Sequence, residues 1–218
     1  MQLLAAAAGM VLSAAVAVLA QAAGGCPPEG DATKAKLRDL NIQRARMTSP
    51  SDDDVDDTVT IDSLEEPGDD TMRFENGTAV SVAAYVVAVR DGGPDSSNCH
   101  SQDPAEQNTV LELASDGSVP DPGHRVFAVV TPRWRTIMAK QGQDWSTRGL
   151  RAKYLHQSII VTGWLLFDFE AANRAANTAP LPNPGITRNT AWEVHPVTDL
   201  ELDEESPADQ TSLLVAAP

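Results

Sequence analysis

The clearest apolar stretch of the chain lies at 156–170, where the sequence reads HQSIIVTGWLLFDFE. Apolar residues run almost without a break from Ile159 to Phe169, which is typical of a buried strand. Gly163 interrupts this strand in its middle, and Asp168 lies at its exit. A glycine inside a strand indicates a bend or the close approach of another backbone. The stretch therefore predicts one strand of a tightly curved sheet.

Alternation of apolar and polar positions predicts the remaining strands. The last of them places Trp192, Val194 and Val197 in the core. In chain order, the predicted strands are 58–64, 78–90, 109–114, 156–170 and 190–202. Residues 125–131 either continue the third of these strands or re-enter the sheet.

After residue 130 the spacing of apolar residues is no longer that of a strand, and signals for a helix appear. Thr131 followed by Pro132 is a good helix start, because a hydroxyl cap precedes a proline at the first helical position. Gly142 can end this helix, and Ser146 can cap a second one. An earlier helix is predicted at 34–46, with Leu37, Leu40 and Ile42 on one side.

Five strands with a helix or helix pair between the third and fourth predict a mainly β fold, a small OB-like barrel. Another small barrel or a sandwich with an inserted helix pair is the alternative. The expected domains are a signal peptide (1–22), a helical and acidic linker (23–57), the barrel (58–202) and a flexible acidic tail (203–218).

The N-terminal segment is typical of an export signal. Residues 1–25 carry no charge, and Ala20-Gln21-Ala22 offers the small residues that signal peptidase reads, so we expect cleavage after Ala22. An uncleaved membrane anchor is the alternative. A lipoprotein signal ranks third, because Ala23 stands where a leucine-like residue should precede Cys26. The protein is thus expected to be periplasmic or secreted, without stable membrane insertion after cleavage.

Export gives the two cysteines two interpretations. Cys26 and Cys99 can form a disulfide in an oxidising compartment, or both can be free thiols.

The net charge of -15, from 31 acids and 16 bases, argues against nucleic acid or an anionic membrane as the main partner. Charged residues are unevenly distributed along the chain: residues 52–70 include acids and no base, whereas residues 125–153 are rich in bases. The acidic run is interpreted as a solvated linker, since DDDVDD lacks the glycine that a calcium loop needs.

Several stretches resemble a bacterial family of exported proteins without an established activity. They are AYVVAVRDGGPDSSNC, VVTPRWR with DWSTRGLR, VTGWLLFD and TAWEVHPVT, within a resemblance that covers about 37–202. Members of that family often have Asp-Thr-His-Ile where this chain has 108–111, and some have a histidine at 171 or 172. If those histidines form a metal or acid–base site, the resemblance implies that this chain keeps only His195 of it.

Three side chains are candidates for acid–base or metal chemistry. His195 can act as a general base or ligand, and Asp168 and Glu170, two residues apart, can share a face at the barrel rim. The alternatives are a hydrogen-bonded structural histidine and solvated carboxylates at a strand end.

Bases alternate with aromatic residues between 133 and 154, which is the pattern of a stacking groove on an OB-fold. The alternative is a helical plug in which Trp134 and its neighbours fill the barrel while the bases extend outward. The candidate ligand-binding residues are Arg133, Trp134, Arg135, Trp145, Arg148 and Tyr154.

Together these observations predict an exported binding or accessory protein, with no cofactor, whose partner is a small molecule, an oligosaccharide or a protein. The alternatives are a metal-assisted hydrolase or nuclease using His195, Asp168 and Glu170, and a structural envelope protein without a pocket. Convergence of those three side chains in one pocket would favour the enzyme.

Overall fold

Five strands form the framework of the protein, and the computed structural model describes them within residues 25–118 and 121–204. The predicted signal peptide at 1–22 and most of the predicted tail, 205–218, lie outside this part. The strands are β1 (Ala79–Asp91), β2 (Thr109–Ala114), β3 (Val126–Val130), β4 (Ser158–Phe167) and β5 (Trp192–Leu202).

The strands close into a barrel in the order β1-β2-β3-β5-β4, and β4 pairs back with β1. Every neighbouring pair is antiparallel except β3 and β5, which run parallel. The prediction of a mainly β, five-stranded OB-like barrel is therefore confirmed.

Gly163 allows β4 to cross β5 closely. A Cβ atom at this position would lie 2.4 Å from the carbonyl oxygen of Pro196 and 2.7 Å from the side chain of Val194. The β4–β5 register also shifts on both sides of Gly163. Gly163 thus permits the irregular β4–β5 pairing that bends the sheet, as the sequence predicts.

In the described part of the chain, four helices accompany the barrel. They are α1 (Ala35–Arg44), α2 (Ile61–Glu65), α3 (Pro132–Lys140) and α4 (Thr147–Tyr154). Short 3₁₀ turns occupy Asp52–Asp54, Ser96–Asn98, Pro104–Glu106, Pro122–His124 and Ala172–Arg174.

The α3–α4 pair stands between β3 and β4 in the chain, as predicted. Thr131 caps α3 by accepting a hydrogen bond from the Trp134 N–H, and Ser146 caps α4 by accepting one from the Gly149 N–H. Trp134 and Tyr154 belong to the same buried cluster as the inward side chains of the barrel. The pair is therefore the plug that fills the barrel.

Two local predictions are wrong. Residues 58–64 do not form a strand: Thr60 and Ser63 make a reciprocal capping box, which starts α2 instead. The barrel still has five strands, because Val126–Val130 is a strand of its own and not a continuation of its predecessor. On α1, Ile42 is 50% exposed; the buried face holds Leu40, Asn41 and Arg44.

Within residues 25–118 and 121–204, no helix is long and apolar enough to cross a membrane.

Candidate functional site

A polar pocket lies where α1, the loop between β1 and β2, and the start of α3 meet. We call it the arginine pocket, because Arg44 and Arg133 both line it. Its volume is about 40 Å³. Its lining consists of Cys26, Asn41, Arg44, Ala45, Ser97, Asn98, Glu106, Asn108, Thr131, Pro132 and Arg133.

A disulfide fixes the rim of this pocket. Cys26 is bonded to Cys99, so the structure has the first of the two arrangements that the sequence left open. Gly30, with φ of 63°, turns the N-terminal arm so closely against the loop that a Cβ there would overlap the Ser96 carbonyl. Asp31 N–H then donates to the Ser96 carbonyl oxygen. The arm and the loop are thereby held as one wall.

Arg44 is the central charge of the site and only 6% exposed. Its guanidinium lies 2.9 Å from the Asp168 carboxylate and 3.5 Å from that of Glu170, and it donates to the Asn41 side-chain oxygen. Its Nε has no hydrogen-bond partner among the residues that the structure describes. An unpaired buried donor lowers the stability of the fold.

The carboxylates around Arg44 keep it charged. Burial lowers the pKa of Arg44, but Asp168, Glu193, Asp95 and Glu170 raise it by a larger amount, and the net shift is upward. The charge that faces the pocket is therefore permanent.

Arg133 supplies the second cation. Its guanidinium donates to the Cys26 carbonyl oxygen at 2.9 Å, which holds it across the pocket. Burial lowers the pKa of Arg133, with Glu29 opposing the shift, yet arginine stays protonated at neutral pH. No acid lies in the first turn of α3, so the positive end of that helix adds to the two guanidinium groups.

A second buried cluster lies on β5. Glu193 accepts a hydrogen bond from Arg188 at 2.9 Å, and its other carboxylate oxygen lies 2.8 Å from His195 Nδ1. Burial raises the pKa of Glu193, but Arg188, His195 and Arg44 lower it by a larger amount. The pKa of Glu193 therefore lies well below its ordinary value. Glu193 is thus a carboxylate at neutral pH.

The three candidate catalytic residues are divided between these clusters. Asp168 and Glu170 are both tied to Arg44, whereas His195, 3% exposed, is tied to Glu193. His195 lines a separate small cavity together with Gln43. In the described part of the chain, no three His, Cys, Asp or Glu side chains are grouped so that they could hold a metal ion. The predicted metal alternative at Asp168, Glu170 and His195 therefore has no geometric basis.

The predicted stacking groove is also absent from the described residues. Trp134, Trp145 and Tyr154 are buried in the main core, and their polar atoms bond to protein atoms. Arg135 donates to the Gln107 carbonyl, and Arg148 is exposed on α4. The aromatic residues serve as the plug because a closed barrel of this size needs large side chains to fill its end.

The outer face of β2 and β3, which binds ligands in many OB-folds, is covered here. The ring centre of Phe127 lies 4.3 Å from the guanidinium group of Arg188 and 5.2 Å from that of Arg90. Glu112 accepts hydrogen bonds from Arg90 and Arg125. With Val110 and Val129, Phe127 forms a small buried cluster of its own. The arginine pocket is thus the better candidate site.

No protein-family model matches the chain, and a search of curated proteins finds no relative. The family resemblance described above stays an expectation.

Sequence reasoning missed Arg44, Asn41, Arg188 and Glu193. One signal for the first two exists in hindsight: Leu37, Leu40, Asn41 and Arg44 recur at helical spacing, so the polar pair shares the buried side of α1 with the leucines. Arg188 stands in a loop rich in Asn and Pro, where no period predicts burial.

Proposed function

We propose that this protein is an exported ligand-binding protein whose site is the arginine pocket. The observation that carries the proposal is Arg44: a buried side chain that the neighbouring carboxylates keep charged and that lines a polar pocket together with Arg133. Ion pairs, amide side chains and a disulfide hold the walls of the pocket in place before any ligand arrives. Such preorganisation lowers the cost of binding.

Export is supported by two independent features. Residues 1–22 have the composition of a signal peptide, and disulfides such as that between Cys26 and Cys99 form and persist mainly in oxidising compartments. Expression of the full-length chain in a bacterium, followed by fractionation and mass measurement, tests this part. We expect a periplasmic or secreted product that begins after Ala22 and holds no free thiol.

Binding is tested by a thermal-shift screen of the oxidised protein against small polar molecules, sugars and oligonucleotides. Each hit is then repeated on Ala45→Leu, which fills the pocket, and on Ala152→Leu, which adds the same atoms to an exposed position on α4. We expect hits to be lost only in Ala45→Leu. Hits that survive in Ala45→Leu, or a screen without hits, would contradict the proposal.

A second candidate function is acid–base catalysis by His195. Because Nδ1 is engaged by Glu193, the free Nε2 carries the chemistry, and it has no partner among the described residues. His195 lines a cavity of about 40 Å³ together with Gln43, Arg46 and Trp164. A carboxylate that orients a histidine in this way is common in hydrolases.

Ester, phosphodiester and glycoside substrates, each with and without divalent ions, test this second function. We expect any activity to be lost in His195→Gln and kept in His156→Gln, since His156 is exposed. Activity that is equal in the two variants would remove His195 from consideration.

A further inference from the structure

We propose that the disulfide between Cys26 and Cys99 is a redox switch for the N-terminal arm, residues 25–34. A dithiol that reduces the disulfide releases the arm from the loop between β1 and β2, and the arginine pocket thereby loses one of its walls. The release of the arm does not depend on what the pocket binds. Its effect on ligand binding rests on the proposed function.

The arm contributes nothing to the apolar core. Residues 25–34 contain turns but neither helix nor strand, and none of their side chains belongs to the buried apolar core of the described residues. After the expected cleavage at Ala22, the arm lies at the N-terminal end of the mature chain. Segments of this kind are poorly ordered unless specific contacts hold them. The order of the arm therefore depends on its polar contacts and on the disulfide.

The polar contacts of the arm are few and partly exposed. The Asp31 N–H donates to the Ser96 carbonyl oxygen at 3.1 Å, and the Asn41 side chain donates to the Glu29 carbonyl oxygen at 3.1 Å. The ion pair between Asp31 and His100 joins two exposed side chains, so it adds little. One hydrogen bond contributes about as much free energy as fixing one residue costs in entropy. These contacts alone therefore do not keep the whole arm ordered.

The other end of the arm is attached loosely. Lys34 occupies the N-cap position of α1 and makes no side-chain capping hydrogen bond. A helix start without such a cap frays more easily than a capped one. Once the disulfide is open, the arm can swing away about the first turn of α1.

A reductant can reach the disulfide. Cys26 and Cys99 are both half-buried, and the adjacent Pro27 and His100 are exposed. Exposed disulfides are reduced more easily than buried ones. A thiolate of the dithiol attacks one sulfur to form a mixed disulfide, and its second thiolate then displaces that cysteine. Two electrons pass to the protein, the two cysteine thiolates take up the protons that the dithiol has lost, and the dithiol leaves as a disulfide.

Cys26 connects the switch to the pocket. It belongs to the lining, and its carbonyl oxygen accepts a hydrogen bond from Arg133 at 2.9 Å. When the arm leaves, the pocket loses this wall and Arg133 loses the acceptor that fixes its position. Binding to a site that is no longer preorganised is weaker. The oxidised protein is therefore the form that binds.

The test of the arm is amide hydrogen exchange, followed by NMR without any ligand. Three samples are compared: the oxidised protein, the same protein treated with dithiothreitol, and the double variant Cys26→Ser with Cys99→Ser. We expect the Asp31 amide to exchange at least about tenfold faster in the second and third samples than in the first. Amides of β1 and β4 should keep their protection, which shows that the barrel stays folded.

Two controls separate the disulfide from the other contacts. Dithiothreitol should change nothing further in the double serine variant, because no disulfide is left to reduce. Asp31→Asn removes the ion pair with His100 while the disulfide stays intact, and the exchange rate of the arm is expected to change less than about twofold.

Binding is tested with a hit of the thermal-shift screen that depends on Ala45. Its affinity is expected to be at least about fivefold weaker for the double serine variant than for the oxidised protein. Equal affinities would overturn the link between the arm and the pocket.

The redox switch and the proposed function fail in different ways. A disulfide that resists dithiothreitol in the folded protein, or an Asp31 amide that stays protected after reduction, would overturn the switch and leave the proposed function standing. A screen without any hit that depends on Ala45 would overturn the proposed function, whereas the exchange rates would still decide whether the disulfide controls the arm.

Discussion

α1 and the α3–α4 pair both cover the barrel, but they do so with opposite chemistry. The α3–α4 pair buries Trp134, Met138, Leu150 and Tyr154 in the main core. The buried residues of α1 are one leucine, an asparagine and an arginine. The α3–α4 contact is stabilised by buried apolar area, and pH and salt have little effect on that stabilisation. The α1 contact depends on ion pairs and hydrogen bonds.

This difference separates the part of the molecule that maintains the fold from the part that we propose to bind a ligand. Apolar packing stabilises without requiring a partner, whereas the charged contact of α1 leaves one donor, Arg44 Nε, unused among the described residues. Fold maintenance and the proposed binding thus depend on two different kinds of contact. The following predictions change one kind of contact at a time.

The largest effect is expected from the plug. Trp134→Ala removes a side chain that is 4% exposed, and the cavity it leaves is expected to cost about 4 kcal/mol of unfolding free energy. Urea unfolding at pH 7 measures this loss. Arg148→Ala, exposed on the next helix, is expected to stay within about 0.5 kcal/mol of the wild type. A loss below about 1 kcal/mol for Trp134→Ala would mean that α3 does not plug the barrel.

The α1 contact is expected to fail in a different way. Asp168→Asn leaves the buried charge of Arg44 without its main partner and is expected to cost about 3 kcal/mol. Glu170→Gln changes the longer, more exposed contact and is expected to cost under about 1 kcal/mol. The double variant Arg44→Met with Asp168→Leu should recover most of the stability, because no unpaired charge remains. Equal losses in the Asp168 and Glu170 single variants would contradict this account of α1.

The pH dependence of stability is expected to come from the polar side. Because the folded-state pKa of Glu193 lies below its unfolded value, its contribution is present above the unfolded pKa and is lost as the pH falls. From about pH 6 to pH 3 the wild type is expected to lose about 2 kcal/mol that Glu193→Gln does not lose. Glu201→Gln, exposed on the same strand, is the control and should follow the wild-type slope.

The smallest effect is expected at a helix cap on the apolar side. Ser146 accepts a hydrogen bond from the Gly149 N–H at 3.0 Å, so Ser146→Ala is expected to cost about 1 kcal/mol. Its cost should not change with salt, whereas the Asp168→Asn cost includes an electrostatic part. A salt-dependent cost for Ser146→Ala would contradict the distinction between the apolar contacts of α3–α4 and the charged contacts of α1.

The sequence predicted the barrel well because strands and caps are local signals. The run from Ile159 to Phe169, the Thr131-Pro132 start and Gly163 each carry their own pattern. Thr60 illustrates the limit: a capping box of Thr60 and Ser63 overrides an alternation that is too short to define a strand. Over only a few residues, a capping signal and a strand alternation are equally strong predictors, and at 58–64 the chain follows the capping signal.

The site could not be predicted in the same way. Arg44 and Asp168 are far apart in the chain, and nothing local indicates that a charged residue of α1 is buried beside the exit of β4. The aromatic and basic stretch between 133 and 154 gave a false indication, because a stacking surface and a barrel plug need the same residue types. Only the closure of the barrel decides between the two.

The most direct test of the central claim is to map where a ligand binds. Backbone chemical shifts of the ¹⁵N-labelled, oxidised protein are recorded with each hit of the thermal-shift screen. The account predicts shifts at Arg44, Asn108 and Arg133, which line the arginine pocket. Shifts confined to Val110, Phe127 and Val129 would contradict it and would assign binding to the outer face of β2 and β3.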